Sequence, residues 1–433
     1  MRSFIKHPGV RNLVALIGIQ GSNAFVPLLI VPYALSVIGV TAYAQVAITE
    51  AISVLALAAV LFSFDVDGVA RLARLGPEAK REALGDVLSE ILLARLLLFA
   101  TVSPLLLMIY WLARGDGILL LALWLLVPLG QVFHSYWFYQ AVEDNFAAAI
   151  LTLLSRVATL AIVFTCVRGP EDAALIPLAI GGPFVLGGLL STAHIVRQFG
   201  ITLRWVGLRT VLAGLRQGKE IFAGNVAVSF YREMNVVILG IVGVSAAGIS
   251  TYALIEKTIK MLQASTRPFS QLFFPKVLRA LSGATEPSPV VARLIARYTL
   301  PQIAAALALI VAFPIAYALA CMSFPRLVEF RALPQVETMA IIMAPAMLLG
   351  LANFMYGTAG LNTLSHRRYL FAAILVTGIC NIAFCFLLSW LIGTMGAAIC
   401  FLLAEALLFA LVLAPYLRKH TPQPTPLGQG DLS

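Results

Sequence analysis

Residues 235–263 read NVVILGIVGVSAAGISTYALIEKTIKMLQ. One apolar run ends at Gly243, and a second begins at once, taking on Glu256, Lys257 and Lys260 before it closes. Composition decides the solvent around such a hairpin. Of the 433 residues 61% are hydrophobic and only 12% are charged, and the mean hydropathy is +0.94. Soluble chains average roughly 45–50% and ~25%. The fold class that follows is an all-α polytopic membrane protein. Apolar runs of about 20 residues, the length that crosses a ~30 Å hydrocarbon core as a helix, recur with little between them. Twelve are recognised, at about 12–34, 41–64, 87–112, 117–139, 146–167, 173–196, 220–242, 247–274, 298–320, 337–360, 369–392 and 395–417.

Short cytoplasmic loops accumulate Lys and Arg, and that bias orients the spans. With both termini inside, 20 of the 30 Lys and Arg fall on cytoplasmic segments, against Arg114, Arg168, Arg326 and Arg331 on the other side. This asymmetry accounts for the net charge of +10 without a nucleic-acid partner. Arg2 and Lys6 lead into a full-length span with no cleavage site, so the first helix is expected to be retained. The five cysteines and five histidines lack metal-ligand spacing, so no metal or cofactor is expected.

The chain repeats itself across its middle. Val37-Ile38-Gly39-Val40-Thr41-Ala42 closes the first span, and Ile241-Val242-Gly243-Val244-Ser245-Ala246 closes the seventh. Each is followed by a span with an intramembrane acid, Glu50 in one and Glu256 in the other. Six helices plus six with the same orientation predict two pseudo-symmetric lobes around a central cavity. The expected organisation is an N-terminal lobe at 1–196, a basic amphipathic cytoplasmic linker at 197–219, a C-terminal lobe at 220–417 and a disordered cytoplasmic tail at 418–433. The linker interleaves Trp205, Leu208, Val211, Leu212 and Leu215 with Arg204, Arg209, Arg216 and Lys219, the pattern of a helix held at the membrane surface.

Six cations fall inside the spans: Arg95, Arg156, Arg232, Lys257, Lys260 and Arg267. At roughly 100° per residue, Glu256, Lys257, Lys260, Gln263 and Arg267 occupy about 120° of one helix face. A charge facing lipid at mid-membrane costs about 2.5–3.5 kcal/mol or more, so the stripe is expected to face a water-filled cavity between the lobes. Glu256 and Lys260, at i and i+4, can pair, which leaves Lys257 without a local partner. Arg95 with Glu90, and Arg232 with Glu233, are the pairs to expect if those cations serve only to lock helices together. Asn23, Asn225, Ser229 and Gln263 are the expected polar lining, and Glu50 and Glu256 the candidate ion-coupling acids, with Glu50 the less obviously partnered. A cationic cavity attracts an anion, and phosphate suits both Arg and Lys.

The run at 235–263, followed by SQLFFPKV, resembles the central signature of the O-antigen and polysaccharide repeat-unit flippases of the multidrug/oligosaccharidyl-lipid/polysaccharide exporter superfamily. PLLIVPYALSVIG, WFYQAVEDN, LSRVATLAIVF and NFMYGTAGLNTLSHRRYL extend the likeness along the chain, while FSFDVDGVARLAR departs from the glycine-rich stretch usual after the second span. The resemblance implies alternating access and a substrate of oligosaccharide on undecaprenyl diphosphate, moved from the cytoplasmic to the periplasmic leaflet of the bacterial inner membrane. It also implies that Lys257 and Lys260 line the cavity. The implied partners are membrane lipids, with a polysaccharide polymerase and other assembly proteins downstream, and the implied carrier is a monomer. The alternatives are a drug or small-cation exporter of the same superfamily and a polytopic polyprenyl-linked-sugar transferase or polymerase. Asp65-Val66-Asp67 has the DxD spacing of such enzymes but lacks a nucleotide-binding domain around it, so no enzyme is expected. Trp137-Phe138-Tyr139 is expected as an interfacial aromatic belt.

Overall fold

The computed structural model describes residues 8–75, 80–323 and 330–418. Among them the chain is built of helices: α1 Pro8–Leu61, α2 Phe64–Leu75, α3 Arg81–Arg114, α4 Ile118–Trp124, α5 Leu126–Phe133, α6 Tyr136–Ala141, α7 Asn145–Cys166 and α8 Leu175–Phe199 form the first half. The second half holds α9 Leu208–Val242, α10 Ala246–Ser265, α11 Arg267–Ala280, α12 Pro289–Ser323, α13 Val336–Met343, α14 Pro345–Asn353, α15 Arg367–Ile392 and α16 Thr394–Leu417. Nine helical segments among the described residues are long and apolar enough to cross a membrane, or ten with the bent Phe222–Val242 pair. Two further spans complete the expected twelve. Helix α1 is two arms joined at Gly39, and α10 is a full-length helix whose charges Glu256, Lys257 and Lys260 keep its hydropathy low.

The repeated glycine motif has a backbone cause. Gly39 has φ +76° and Gly243 φ +80°, a region that costs a residue with a Cβ and suits glycine. Each glycine therefore reverses the chain at the same place in its half. After the second turn Ser245 caps α10, its hydroxyl accepting from the Gly248 amide at 3.2 Å. Proline breaks other spans without ending them: Pro345 opens α14 directly after α13, and the same span finishes as a π-helix at Phe354–Leu361.

The turn side and the opposite side, which carries the linker, are packed differently. On the turn side a single apolar core draws on both halves: Ala34, Ile38, Val46 and Ile48 join Val236, Leu239, Ile249 and Tyr252. On the linker side each half keeps its own core. One comprises Phe62, Leu88, Trp137 and Ile195 with their neighbours, and the other Tyr231, Ile295, Met355 and Tyr416 with theirs. Among the described residues the halves thus share one core at the turn side and keep distinct cores at the other.

Two sequence expectations change here. Trp137, Phe138 and Tyr139 are each 0% exposed in the first-half core, so they form no aromatic belt. A Cβ on Gly68 would stand 2.5 Å from the Trp137 ring, so glycine makes the room for that indole. The linker is not a separate helix lying flat. Residues 201–207 are extended, and from Leu208 the chain runs as α9 through the 219/220 position into the membrane, bending by 44° between Phe222–Ser229 and Tyr231–Val242. Its first turns belong to the N-terminal half, with Phe222 stacked on Phe62 at 4.5 Å. The tail from Lys419 lies outside the described residues.

Candidate functional site

Where the shared core gives way to separate ones, a cavity of about 240 Å³ opens between the lobes. Its walls come from both arms of α1 (Pro27, Glu50, Val54), from α9 (Glu233, Val236) and from α10 (Glu256, Lys257, Lys260, Ala264). The repeat explains why acid and base meet there. Glu50 lies eleven residues beyond Gly39 and Lys257 fourteen beyond Gly243, so at ~1.5 Å per residue both hang at similar depth below the two turns.

Lys257 Nζ donates to Glu50 Oε2 in a close ion pair that joins the halves. The same ammonium lies 5.9 Å from the centre of the Tyr43 ring, within reach of a cation–π attraction. Two further polar contacts cross between the halves on the turn side. Ser250 Oγ donates to the Val40 carbonyl at 2.6 Å, and the Arg114 guanidinium donates to the Gly240 carbonyl. Lys260 is differently placed. It meets Glu233 Oε1 at 2.9 Å and Glu256 Oε1 at 3.2 Å and donates to the Arg232 carbonyl at 2.9 Å. Three acceptors match the three donors of an ammonium. Lys260 is saturated within its lobe, whereas Lys257, a quarter exposed, faces the cavity and holds its carboxylate across the interface.

Of the other predicted cations, Arg95, Arg156 and Arg232 are not among the described residues that line this cavity. Arg95 is fully buried in the first half, bonded to Asp65 Oδ1 at 2.6 Å, the His134 carbonyl at 2.8 Å and the Gln131 carbonyl at 3.3 Å. The break between α5 and α6 frees those carbonyls, and Arg95 occupies them. Glu90, its expected partner, instead grips Arg71 through two bonds of 2.9 and 2.6 Å. Arg156 sits on α7 with its guanidinium 5.9 Å from the Phe184 ring centre. Arg232 donates to Gln263 Oε1 at 3.0 Å, and Glu233 turns to Lys260 instead. Ser229 lines a second cavity toward the linker side, of about 270 Å³, with Ala58, Phe62 and Asp65. The side chains of Asn23, Asn225 and Arg267 lie outside the described residues.

Two expectations are corrected by this geometry. Glu50, the less obviously partnered acid, is paired with Lys257 of the other half. The cavity is also not predominantly basic: its described lining holds three carboxylates, Glu50, Glu233 and Glu256, against two ammonium groups. Glu233 was hidden in the sequence beside Arg232, and only its alignment with Lys260 on the neighbouring helix reveals it. Glu405 is a carboxylate the sequence did not single out. Only 6% exposed on α16, it accepts from Asn353 Nδ2 at 2.7 Å at the start of the π-helical turn.

Two helical lobes around a charged central cavity define the fold of a polytopic membrane protein. The structure is similar to one titled as an inward-facing multidrug resistance MATE family transporter of the MOP superfamily (TM-score 0.62, 14% identity, 91% of this chain and 93% of that one). It is also similar to the lipid II flippase MurJ in an inward closed conformation (TM-score 0.59, 12% identity, 94% and 87%). Residues 10–279 match the family described as polysaccharide biosynthesis protein, and the chain belongs to that family. Among curated relatives it is 21% identical to the "Putative O-antigen transporter" of Escherichia coli (strain K12) over 93% of this chain and 95% of that protein. It is 22% identical to the protein of the same name from Shigella dysenteriae over 62% and 67%.

Proposed function

We propose that the protein moves an undecaprenyl-diphosphate-linked oligosaccharide, an O-antigen or exopolysaccharide repeat unit, from the cytoplasmic to the periplasmic leaflet of the bacterial inner membrane. The linker side, rich in Lys and Arg, is taken as cytoplasmic with both termini, so the arrangement described is the inward-facing one. The observation that carries the proposal is the Glu50–Lys257 pair. It lines the cavity and joins the two lobes across it. An incoming diphosphate competes with Glu50 for Lys257, because it offers several charged oxygens where the carboxylate offers two. Transfer of Lys257 to the substrate then removes the one ion pair between the lobes among the described residues, which leaves the Ser250 and Arg114 hydrogen bonds and the shared apolar core to part in turn.

Size supports a change of shape during transport. A cavity of about 240 Å³ is below the ~300–1,000 Å³ that encloses a drug-sized ligand. It takes a diphosphate, while the glycan extends toward the linker side, where the lobes stand apart. A polysaccharide polymerase and other assembly proteins are the proposed recipients of the product.

One observation favours a second reading. An excess of carboxylates suits an organic cation, as in a drug exporter of the same fold, although no aromatic ring is among the described residues lining the cavity. The test is a pair of assays on one preparation in proteoliposomes. A fluorescent polyprenyl-diphosphate oligosaccharide is expected to change leaflets, with transfer lost in Lys257→Gln, and lipophilic cationic dyes are expected not to move. Dye transport without glycan-lipid transfer would replace the flippase by the exporter.

A further inference from the structure

We propose that the exposed face of the linker and first turns of α9 is a docking surface for the anionic phospholipid headgroups of the linker-side leaflet. The inference does not depend on what the protein transports. Between the end of α8 at Phe199 and the point where α9 re-enters the apolar layer, the chain presents two different faces. The inner one carries Val211 and Gly218, both buried, and Leu215 and Phe222, which pack on the first-half core. Gly218 lies so close to Phe62 and Ser63 that a Cβ there would stand 2.0 Å from the Ser63 hydroxyl. The extended stretch before it is pinned as well, with the Arg204 amide donating to Ser89 Oγ at 3.0 Å and its guanidinium reaching Glu82 at 3.4 Å. The segment is therefore held in place by one side only.

The outer face is apolar and basic at once. Leu208, Leu212, Arg216 and Lys219 follow one another at spacings of four, four and three, which places them on one stripe of the helix. All four are exposed, and Arg209 flanks them. Trp205, just before the helix, is 86% exposed. A bare indole beside two exposed leucines is unfavourable in water, yet it suits the zone where headgroups meet acyl chains. Three exposed charges with no ion pair among the described residues, Arg209, Arg216 and Lys219, match that zone's negative potential, which acts on cations within a Debye length. Position selects the occupant: the segment directly joins two membrane spans, so the connection between them is short enough to keep it beside the headgroups. Because α9 continues from this face, through its 44° bend, into the interlobe core, headgroup contact would fix the first-half end of the helix that also reaches the transport cavity.

The test uses the full chain reconstituted in phosphatidylcholine vesicles with or without phosphatidylglycerol, their acyl chains brominated. The emission of the parent minus that of Trp205→Phe isolates the indole in question. We expect this difference signal to be quenched by brominated chains, severalfold more strongly with phosphatidylglycerol than without. The excess quenching should fall by at least half at high salt and in Arg209→Gln/Arg216→Gln/Lys219→Gln. An environment-sensitive dye at Leu208→Cys, in a background without native cysteines, should give the same ordering. A Trp205 signal quenched by aqueous acrylamide and indifferent to brominated lipid would overturn the proposal and leave the face to a soluble partner. Equal lipid quenching with and without phosphatidylglycerol would also overturn it, because charge would then play no part.

Discussion

Arg95 and Lys257 are both cations within membrane spans, and both are ion-paired, but their surroundings assign them different work. Arg95 is 0% exposed, and its partners Asp65, Gln131 and His134 belong to its own half. Lys257 is 25% exposed and its partner Glu50 belongs to the other half. A cation whose acceptors all move with it fastens a lobe. One whose acceptor sits on the opposite body fastens a conformation, and it can be released without unfolding anything.

The largest effect should follow from breaking the first kind of site. Arg95→Gln leaves two carbonyls and a carboxylate short of donors, and removing one member of a buried pair costs about 3–5 kcal/mol. Thermal unfolding in detergent should show a large drop in midpoint, with less protein reaching the membrane. An unchanged midpoint would erase the distinction between the two cations. Next in size is Lys257→Glu, which sets two carboxylates against each other across the cavity. Glycan export should fall at least about tenfold, equivalent to 1.4 kcal/mol, while the unfolding midpoint stays near that of the parent. If export and stability fall together, Lys257 is a second Arg95.

How much of this contrast could be read without coordinates depends on how far apart the partners lie in the chain. The spans, the glycine turns and the Glu256–Lys260 pair were legible because each is a local pattern, of length, of φ or of i,i+4 spacing. Arg95 with Glu90 misled because residues five apart on a helix diverge by about 140°. Arg232 with Glu233 misled because adjacent side chains diverge by about 100°. The acceptors Arg95 does use sit 30 to 39 residues away, two of them at a break in a span that hydropathy smooths over. Glu50 and Lys257 are 207 residues apart. Their one sequence signal was indirect, their similar distances from the repeated glycines, and it gave depth but not direction. The aromatic triplet failed for a related reason: composition marks a residue as suited to an interface without saying which face of its helix meets lipid.

Smaller effects sharpen the comparison within the cavity. Lys260→Gln should reduce export only a few-fold, since Lys260 serves Glu233, Glu256 and the Arg232 carbonyl within one lobe. A loss as deep as that of Lys257→Glu would move the anion site to Lys260. Smallest of all is Ser250→Ala, which removes one buried hydrogen bond between the lobes. At about 1 kcal/mol net, it should shift the balance toward the state open on the turn side by roughly fivefold. Accessibility of a cysteine at Tyr43, which is buried when the turn side is closed, would report that shift.

The claim on which the rest depends is that the turn side must part in every transport cycle. It is tested most directly by tying that side shut. In a background without native cysteines, Val40→Cys and Ser250→Cys stand on opposite lobes at a place where the parent residues already touch. Joining them with a short, reducible thiol cross-linker should abolish leaflet transfer of the glycan lipid in proteoliposomes, and reduction should restore it to the level of the unlinked protein. Undiminished transfer by fully cross-linked protein would contradict the account, because substrate would then be crossing without the lobes ever separating at Glu50 and Lys257.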